Sequence, residues 1–179
     1  MAVMSVYHPD ILAFISCKSV EGEIHNFNIS VGVDSRWMEC VMNNMSYDLI
    51  NPHTNQVAGS LNAREVFNKI IDGAWTNGEP GMVWLDRINQ DNTTPTLGQI
   101  NATNPCGEQP LLSGESCNLG SINVGNFIKH NYFDEERFAK VVATCTRFLD
   151  NVVDANRHPT EYTTAMNQST RKIGLGIMG

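Results

Sequence analysis

Apolar positions recur along this chain with two different periods, and the alternation between them marks out its elements. Residues 134–156 place Phe138, Val141, Val142, Cys145, Phe148, Leu149, Val152 and Val153 on one stripe at three- and four-residue spacing, which predicts a long amphipathic helix. Residues 63–77 repeat the pattern with Phe67, Ile70, Ile71 and Ala74. Asn62 stands ahead of them as an N-cap, with Glu65 three residues on to reach back, and Gly78 marks the stop. Shorter helices are predicted at 35–42 and after His8-Pro9-Asp10, through Ile11, Leu12, Phe14 and Ile15. In the second of these, Pro9 would take an early position where its missing N–H costs nothing.

Period two takes over in residues 26–33, where Phe27, Ile29, Val31 and Val33 alternate with Asn28, Ser30 and Gly32. This predicts a strand with one apolar face. Residues 1–7 alternate weakly in the same way, 81–86 form a short run expected to be a fully buried strand, and 117–124 give a third. Residues 51–60 read as polar turns, and 89–103 as a long polar loop. Strands alternating with helices predict an α/β architecture. Trp75 and Trp84 are expected in the core.

Composition narrows the functional classes. The chain has 179 residues, 41% of them hydrophobic, enough for a packed core and against disorder. Its net charge of −7, without a basic run, argues against a nucleic-acid polymer as partner, although one nucleotide needs only a few local donors. No stretch approaches the roughly 20 apolar residues of a membrane span. Met1 is followed by no basic n-region, so no signal peptide is expected. Five cysteines without dense spacing fit a reduced, cytoplasmic setting rather than a disulfide scaffold. Both ends read as cut, since the chain stops on an apolar, glycine-rich run at 171–179. Residues 1–179 are therefore expected to form part of one larger domain.

The chemistry concentrates where the long polar loop continues, from Asn89 as far as Cys117. Asn104, Pro105, Cys106, Gly107 and Glu108 put an amide, a thiol and a carboxylate within five residues, and Cys117 follows. Such a group can support covalent or radical sulfur chemistry, with Glu108 as proton acceptor and Asn104 as an orienting partner. A buried, inert thiol is an equally good reading of Cys106 on residue types alone. Zinc is the weaker option, because Cys106 and Cys117 lie too far apart for a knuckle and no His pair completes a set. Cys17, Cys40 and Cys145 read as structural, buried thiols. His25, His53 and His130 read as exposed turn residues, Glu135-Glu136-Arg137 as a solvated helix start, and Arg171-Lys172 as a surface pair.

Two segments carry a specific resemblance. The run from Asn104 through Pro105, Cys106, Gly107, Glu108, Gln109 and Pro110 to Leu112, and the run from Glu115 through Cys117 to Asn123, resemble the active-site finger loop and following strand of ribonucleotide reductases. Pro105 after the asparagine favours the class II, adenosylcobalamin-dependent chains over class I, which usually carry leucine there. The similarity extends to His8-Pro9-Asp10-Ile11, residues 26–31, Asn51-Pro52, residues 81–86 and residues 171–176, which is nearly the whole chain.

The resemblance implies part of a ten-stranded α/β barrel with a finger loop bearing the catalytic cysteine. It implies that Cys106 becomes a thiyl radical and takes the ribose 3′ hydrogen, that Glu108 accepts the 3′-hydroxyl proton, and that Asn104 orients the substrate. Cys117 matches one member of a dithiol pair whose partner lies upstream of residue 1. It further implies adenosylcobalamin, with no ligand residue identified in this chain. The implied partners are a ribonucleoside di- or triphosphate, the remaining segments of the same chain, a thioredoxin-type reductant and a second copy of the full chain. The isolated stretch would be inactive. Two rival readings remain open from the residues: a thiol–disulfide redox module using Cys106 and Cys117, and a non-catalytic remnant that binds a partner chain.

Overall fold

The computed structural model describes every residue except Glu21, Glu23 and His25, so the reading of His25 lies outside the described residues. The chain divides into two compact units, Met1–Ser113 and Gly114–Gly179. The first contains, in order, β1 (Ala2–Ser5), α1 (Ile11–Ser16), β2 (Ile29–Val33), α2 (Ser35–Met42), β3 (Ser46–Ile50), β4 (Val57–Asn62), α3 (Ala63–Asn77), β5 (Gly81–Trp84), α4 (Leu85–Gln90), β6 (Ala102–Thr103) and β7 (Pro110–Leu111).

β2 is the middle of a three-stranded parallel sheet in the order β1-β2-β5, with Val31 beside Met4 on one side and Met82 on the other. All five of its residues are buried. The expected single apolar face is therefore wrong, and so is the early start, since the strand begins at Ile29 and Phe27 is exposed. A parallel strand reached by crossovers is covered on both faces, so Ser30 and Gly32 sit in packed layers like their apolar neighbours. β5 corrects the other way. It ends at Trp84, only Val83 is buried, and Leu85 and Asp86 already belong to α4. The Asp86 carboxylate accepts from the backbone N–H and hydroxyl of Ser35, fastening α4 to the start of α2. The Ser35 hydroxyl is the main reason the Asp86 carboxyl sits below its usual range.

The core of this unit is Ile11, Ile15, Val31, Val33, Val41, Val66 and Ile70 around Trp37. Trp37 is fully buried, edge-on to Tyr47 at 6.2 Å and tilted against Phe67 at 6.2 Å. The expectation for Trp75 and Trp84 fails: Trp75 is 88% exposed and Trp84 37%. For Trp75 the cause is the phase of α3, which buries Ala63, Val66 and Ile70, and Trp84 is the exposed last residue of β5. Ile71 and Trp75, four residues apart, share the outer face. The ends of α3 fall where the sequence places them. Asn62 Oδ1 accepts from Glu65 N–H at 3.1 Å, and Gly78 closes the helix in the left-handed region at φ 84°. Pro9 precedes α1 rather than entering its first turn, and Asp10 is the N-cap.

Residues 51–60 are turn only as far as Gln56, because β4 pairs antiparallel with β3, Tyr47 opposite Leu61 and Leu49 opposite Gly59. Tyr47 and Leu49 point into the core, and the Tyr47 hydroxyl donates to the Val6 carbonyl at 3.1 Å.

The second unit contains β8 (Asn118–Asn123), a 3₁₀ turn at Val124–Phe127, β9 (Ile128–Lys129), β10 (Tyr132–Phe133), α5 (Glu135–Ala155), α6 (Glu161–Thr170) and β11 (Ile173–Met178). β8 and β11 are parallel, in register from Asn118 beside Ile173 to Asn123 beside Met178. α5 matches its prediction, capped by Asp134, whose side chain accepts from Arg137 N–H. Leu149 and Val153 are its buried anchors, while Phe148 turns out to solvent. α6 has no counterpart in the sequence reading. It opens on a full capping box between Thr160 and Thr163.

Arg171 and Lys172 are not a free surface pair. Arg171 ends α6 and its guanidinium binds Asp150 at 2.7 Å and Asp154 at 2.8 Å, while Lys172 binds Glu115 at 2.7 Å. Among the described residues the strands form one three-stranded and four two-stranded sheets, so the chain is mixed α/β without a closed barrel. Among the described residues no helix is long and apolar enough to cross a membrane.

Candidate functional site

The segment expected as one long loop, 89–103, is shorter and better anchored than its polarity implies. α4 runs to Gln90 and β6 begins at Ala102. Between them Asn89 ties the chain down: its amide donates to the carbonyls of Leu85 and Ile100 and accepts from Ile100 N–H, all within 2.7–2.8 Å. Asn92 Nδ2 holds the Gly98 carbonyl in the same way. Each asparagine supplies the bonds that a loop backbone cannot find in a ladder.

From there β6 and β7 make a short antiparallel hairpin, Ala102 opposite Leu111 and Thr103 opposite Pro110. Its tip is residues 104–109. Asn104 builds it with both backbone and side chain. Its N–H donates to the Gln109 carbonyl at 3.1 Å, its Oδ1 accepts from Gln109 N–H at 2.9 Å, and its own carbonyl accepts from Gly107 N–H at 3.0 Å. That last bond closes a four-residue turn with Pro105 and Cys106 at the centre and Gly107 last. Gly107 has φ 86°, a conformation costly for any residue with a Cβ. Thr103, buried beneath, donates its hydroxyl to the Asn104 carbonyl.

The tip leaves Cys106 and Glu108 exposed on either side of Gly107. Asn104 is half-buried, with its Oδ1 used inside the tip. Among the described residues its Nδ2 makes no hydrogen bond, which leaves a donor available to a ligand. An exposed thiol, a carboxylate two residues on and an amide donor can together take up a hydrogen, accept a proton and orient a hydroxyl.

Cys117 lies in the other unit, immediately before β8, and is half-buried. The segment ahead of it is clamped by Asn167 of α6, which is 3% exposed. Asn167 Oδ1 accepts from the Ser116 N–H and hydroxyl, and its Nδ2 donates to the carbonyls of Gly114 and Thr163. The structure therefore brings Asn104, Cys106 and Glu108 together in the first unit and sets Cys117 in a built environment of the second. Sequence reasoning missed Asn167, Glu115 and Lys172 around Cys117. A signal for Glu115 was present, since a carboxylate two residues before a thiol at a strand start invites a cation between them. Cys17, Cys40 and Cys145, expected as buried structural thiols, are half-buried free thiols, and Cys40 packs against the core. His53 and His130 are exposed, as expected.

A mixed α/β chain with a cysteine–carboxylate hairpin tip points to a class of enzyme, and the match to known proteins names its family. Over residues 1–179 the chain matches the family described as the ribonucleotide reductase barrel domain, and it belongs to that family. It is 46% identical over 181 residues to a protein of Thermoplasma acidophilum named vitamin B12-dependent ribonucleoside-diphosphate reductase, covering 100% of this chain and 24% of that protein. A protein of the same name from Mycobacterium tuberculosis is 44% identical over 180 residues, covering 100% of this chain and 26% of its own length. A vitamin B12-dependent ribonucleotide reductase of Rhodopirellula baltica is 34% identical over 202 residues, 98% of this chain and 19% of that protein. The chain thus spans about a quarter of the length of the first two relatives.

Proposed function

We propose that this chain is the portion of an adenosylcobalamin-dependent ribonucleoside-diphosphate reductase that carries its radical thiol, its proton acceptor and one of its two reducing thiols. The observation that supports this best is the hairpin tip, where Asn104 holds a turn that exposes Cys106 and Glu108 around Gly107. Membership of the family and the names of the relatives supply the substrate class and the cofactor.

The chemistry starts from a thiyl at Cys106. The sulfur takes the 3′ hydrogen of the ribose and becomes S–H. Glu108 accepts the 3′-hydroxyl proton while Asn104 Nδ2 orients the sugar, and the 2′-hydroxyl takes a proton from the dithiol and leaves as water. Cys117 and a second cysteine outside residues 1–179 supply two electrons and two protons in all, one proton to that water and the other with both electrons to C2′, and close into a disulfide. Cys106 then returns the hydrogen to C3′ and is a thiyl again, and Glu108 returns its proton to the 3′ oxygen. The sum is ribonucleotide plus dithiol giving deoxyribonucleotide, disulfide and water, and a thioredoxin-type dithiol restores the pair.

No residue of this chain is assigned to adenosylcobalamin, and no step is derived through it. We place the whole enzyme in the cytoplasm, with residues 1–179 as part of its barrel, the rest of the same chain completing the site, and the full chain as a homodimer.

Cys117→Ser in the full-length enzyme tests the reading. Repeated turnover with a thioredoxin-type reductant should be lost while one round of reduction on pre-reduced enzyme is severely weakened, and Cys106 should stay outside any resting disulfide. Undiminished repeated turnover, or a native bond between Cys106 and Cys117, would overturn it.

A further inference from the structure

The mechanism makes no use of the Glu115–Lys172 ion pair, yet it is built where a reducing thiol would need it. The parallel ladder of β8 and β11 begins with Asn118 beside Ile173, so Lys172 enters its strand next to Cys117. Cys117 and Lys172 also line one cavity of about 30 Å³, together with Asn118, Asn167 and His158. Lys172 Nζ lies 2.7 Å from Glu115 Oε2. The Glu115 side chain is wholly buried and that of Lys172 is 17% exposed. A buried carboxylate in contact with it fixes the lysine head group in one place, unlike an exposed lysine on a flexible stem. Asn118 Oδ1 also lies buried, with no hydrogen-bond partner among the described residues.

We propose that Lys172, anchored by Glu115, is a positioning residue that stabilises the thiolate of Cys117 during thiol–disulfide exchange. The inference rests on the reading of Cys117 as a redox thiol. In re-reduction, a thiolate of the thioredoxin-type dithiol attacks the sulfur of the partner cysteine. A bond forms between those two sulfurs, the bond to Cys117 breaks, and its electron pair stays on Cys117 Sγ beside the ammonium until a proton arrives from solvent. The second thiol of the reductant then displaces the partner cysteine and leaves as a disulfide. A nearby cation lowers the pKa of the leaving thiol and speeds that departure.

The other charged groups on the packed elements do not replace Lys172. α5 contributes Val152 and Val153 to the cavity wall and its C-cap Asn156 adds to it, while Asp150 and Asp154 of α5 are taken up by Arg171. α6 contributes the neutral Asn167. His158, on the α5–α6 link, is the one further titratable group lining the cavity among the described residues.

The test is the pH profile of iodoacetamide alkylation of Cys117 in the reduced full-length enzyme, read by mass spectrometry of its peptide. Lys172→Met should raise the midpoint by about one unit and slow alkylation at neutral pH by about tenfold. Lys172→Arg should restore most of the rate. Replacing the whole pair, Glu115→Leu with Lys172→Met, exchanges buried charges for apolar groups and should fold with the same raised midpoint. Alkylation of Cys145, in the same unit, reports whether each variant is folded. An unchanged Cys117 midpoint in either folded variant would overturn the proposal and leave the pair a purely structural contact. This profile needs no turnover, so it fails or succeeds separately from the Cys117→Ser experiment.

Discussion

Gly107→Ala isolates the conformational demand of the hairpin tip from its packing. At this position φ is 86°, and a Cβ built on the backbone meets nothing within 4 Å. The substitution therefore brings no steric clash, only the backbone cost of holding a residue with a Cβ in the left-handed region. That cost is about 1–2 kcal/mol for alanine. It is less for asparagine, which visits this region more readily, and more for a β-branched residue. Because the tip is exposed, the chain can escape the strain by abandoning the turn closed by the Gly107 N–H bond to the Asn104 carbonyl. A penalty of that size lowers the ratio of the observed tip to its alternatives by about 5–30-fold. In the full-length enzyme kcat should fall by up to that factor, in the order Asn, Ala, Val from mildest to most severe. The melting temperature should hardly move, since the strain is relieved locally. An alanine variant with the parental kcat would refute the argument, and so would a series ordered by side-chain volume alone.

Two further predictions concern the first unit. Trp37→Ala empties a fully buried site and should destabilise the unit by about 3–5 kcal/mol in urea unfolding of the full-length enzyme, whereas a change below 1 kcal/mol would remove Trp37 from the core. Burial pushes the Tyr47 phenol up to about 12, so the folded chain keeps a proton that the unfolded chain releases from about pH 10. Stability should then fall as pH climbs from about 10 to 12. Tyr47→Phe should reduce that slope, leaving the part contributed by Tyr7, whose phenol burial and Asp34 also push up, while costing about 1–3 kcal/mol at neutral pH, because the Val6 carbonyl loses its donor; an unchanged slope in the variant would contradict the assignment.

What was legible in the sequence follows from how local each signal is. α3 and α5 were readable to within a residue because their signals are local: the stripe with Asn62 and Gly78 at its ends for one, the long apolar stripe for the other. β2 was readable as a strand but not as a central one, since Ser30 and Gly32 look polar or small until a second layer covers them. β3 did carry a period-two signal in Tyr47 and Leu49, whereas β4 is largely exposed and gives none. Trp75 and Trp84 misled because residue type alone does not set helix phase or strand burial. At the hairpin tip, Asn104, Cys106 and Glu108 are near one another in sequence, so their association needed no fold. The partners of Cys117 did need one: Glu115 meets Lys172 across 57 positions, and Ser116 meets Asn167 across 51. The Asn104 side chain also does more than its motif announces, since Oδ1 builds the turn and only Nδ2 is left for a ligand.

The central claim is that Cys106 is the radical thiol, and Cys106→Ser in the full-length enzyme tests it most directly. The change is nearly isosteric at an exposed tip position, so folding and nucleotide binding should be retained, and both should be checked on the same preparation. With adenosylcobalamin, a ribonucleoside diphosphate and a dithiol reductant present, deoxynucleotide formation should drop below detection. Appreciable turnover by the folded serine variant would contradict the account.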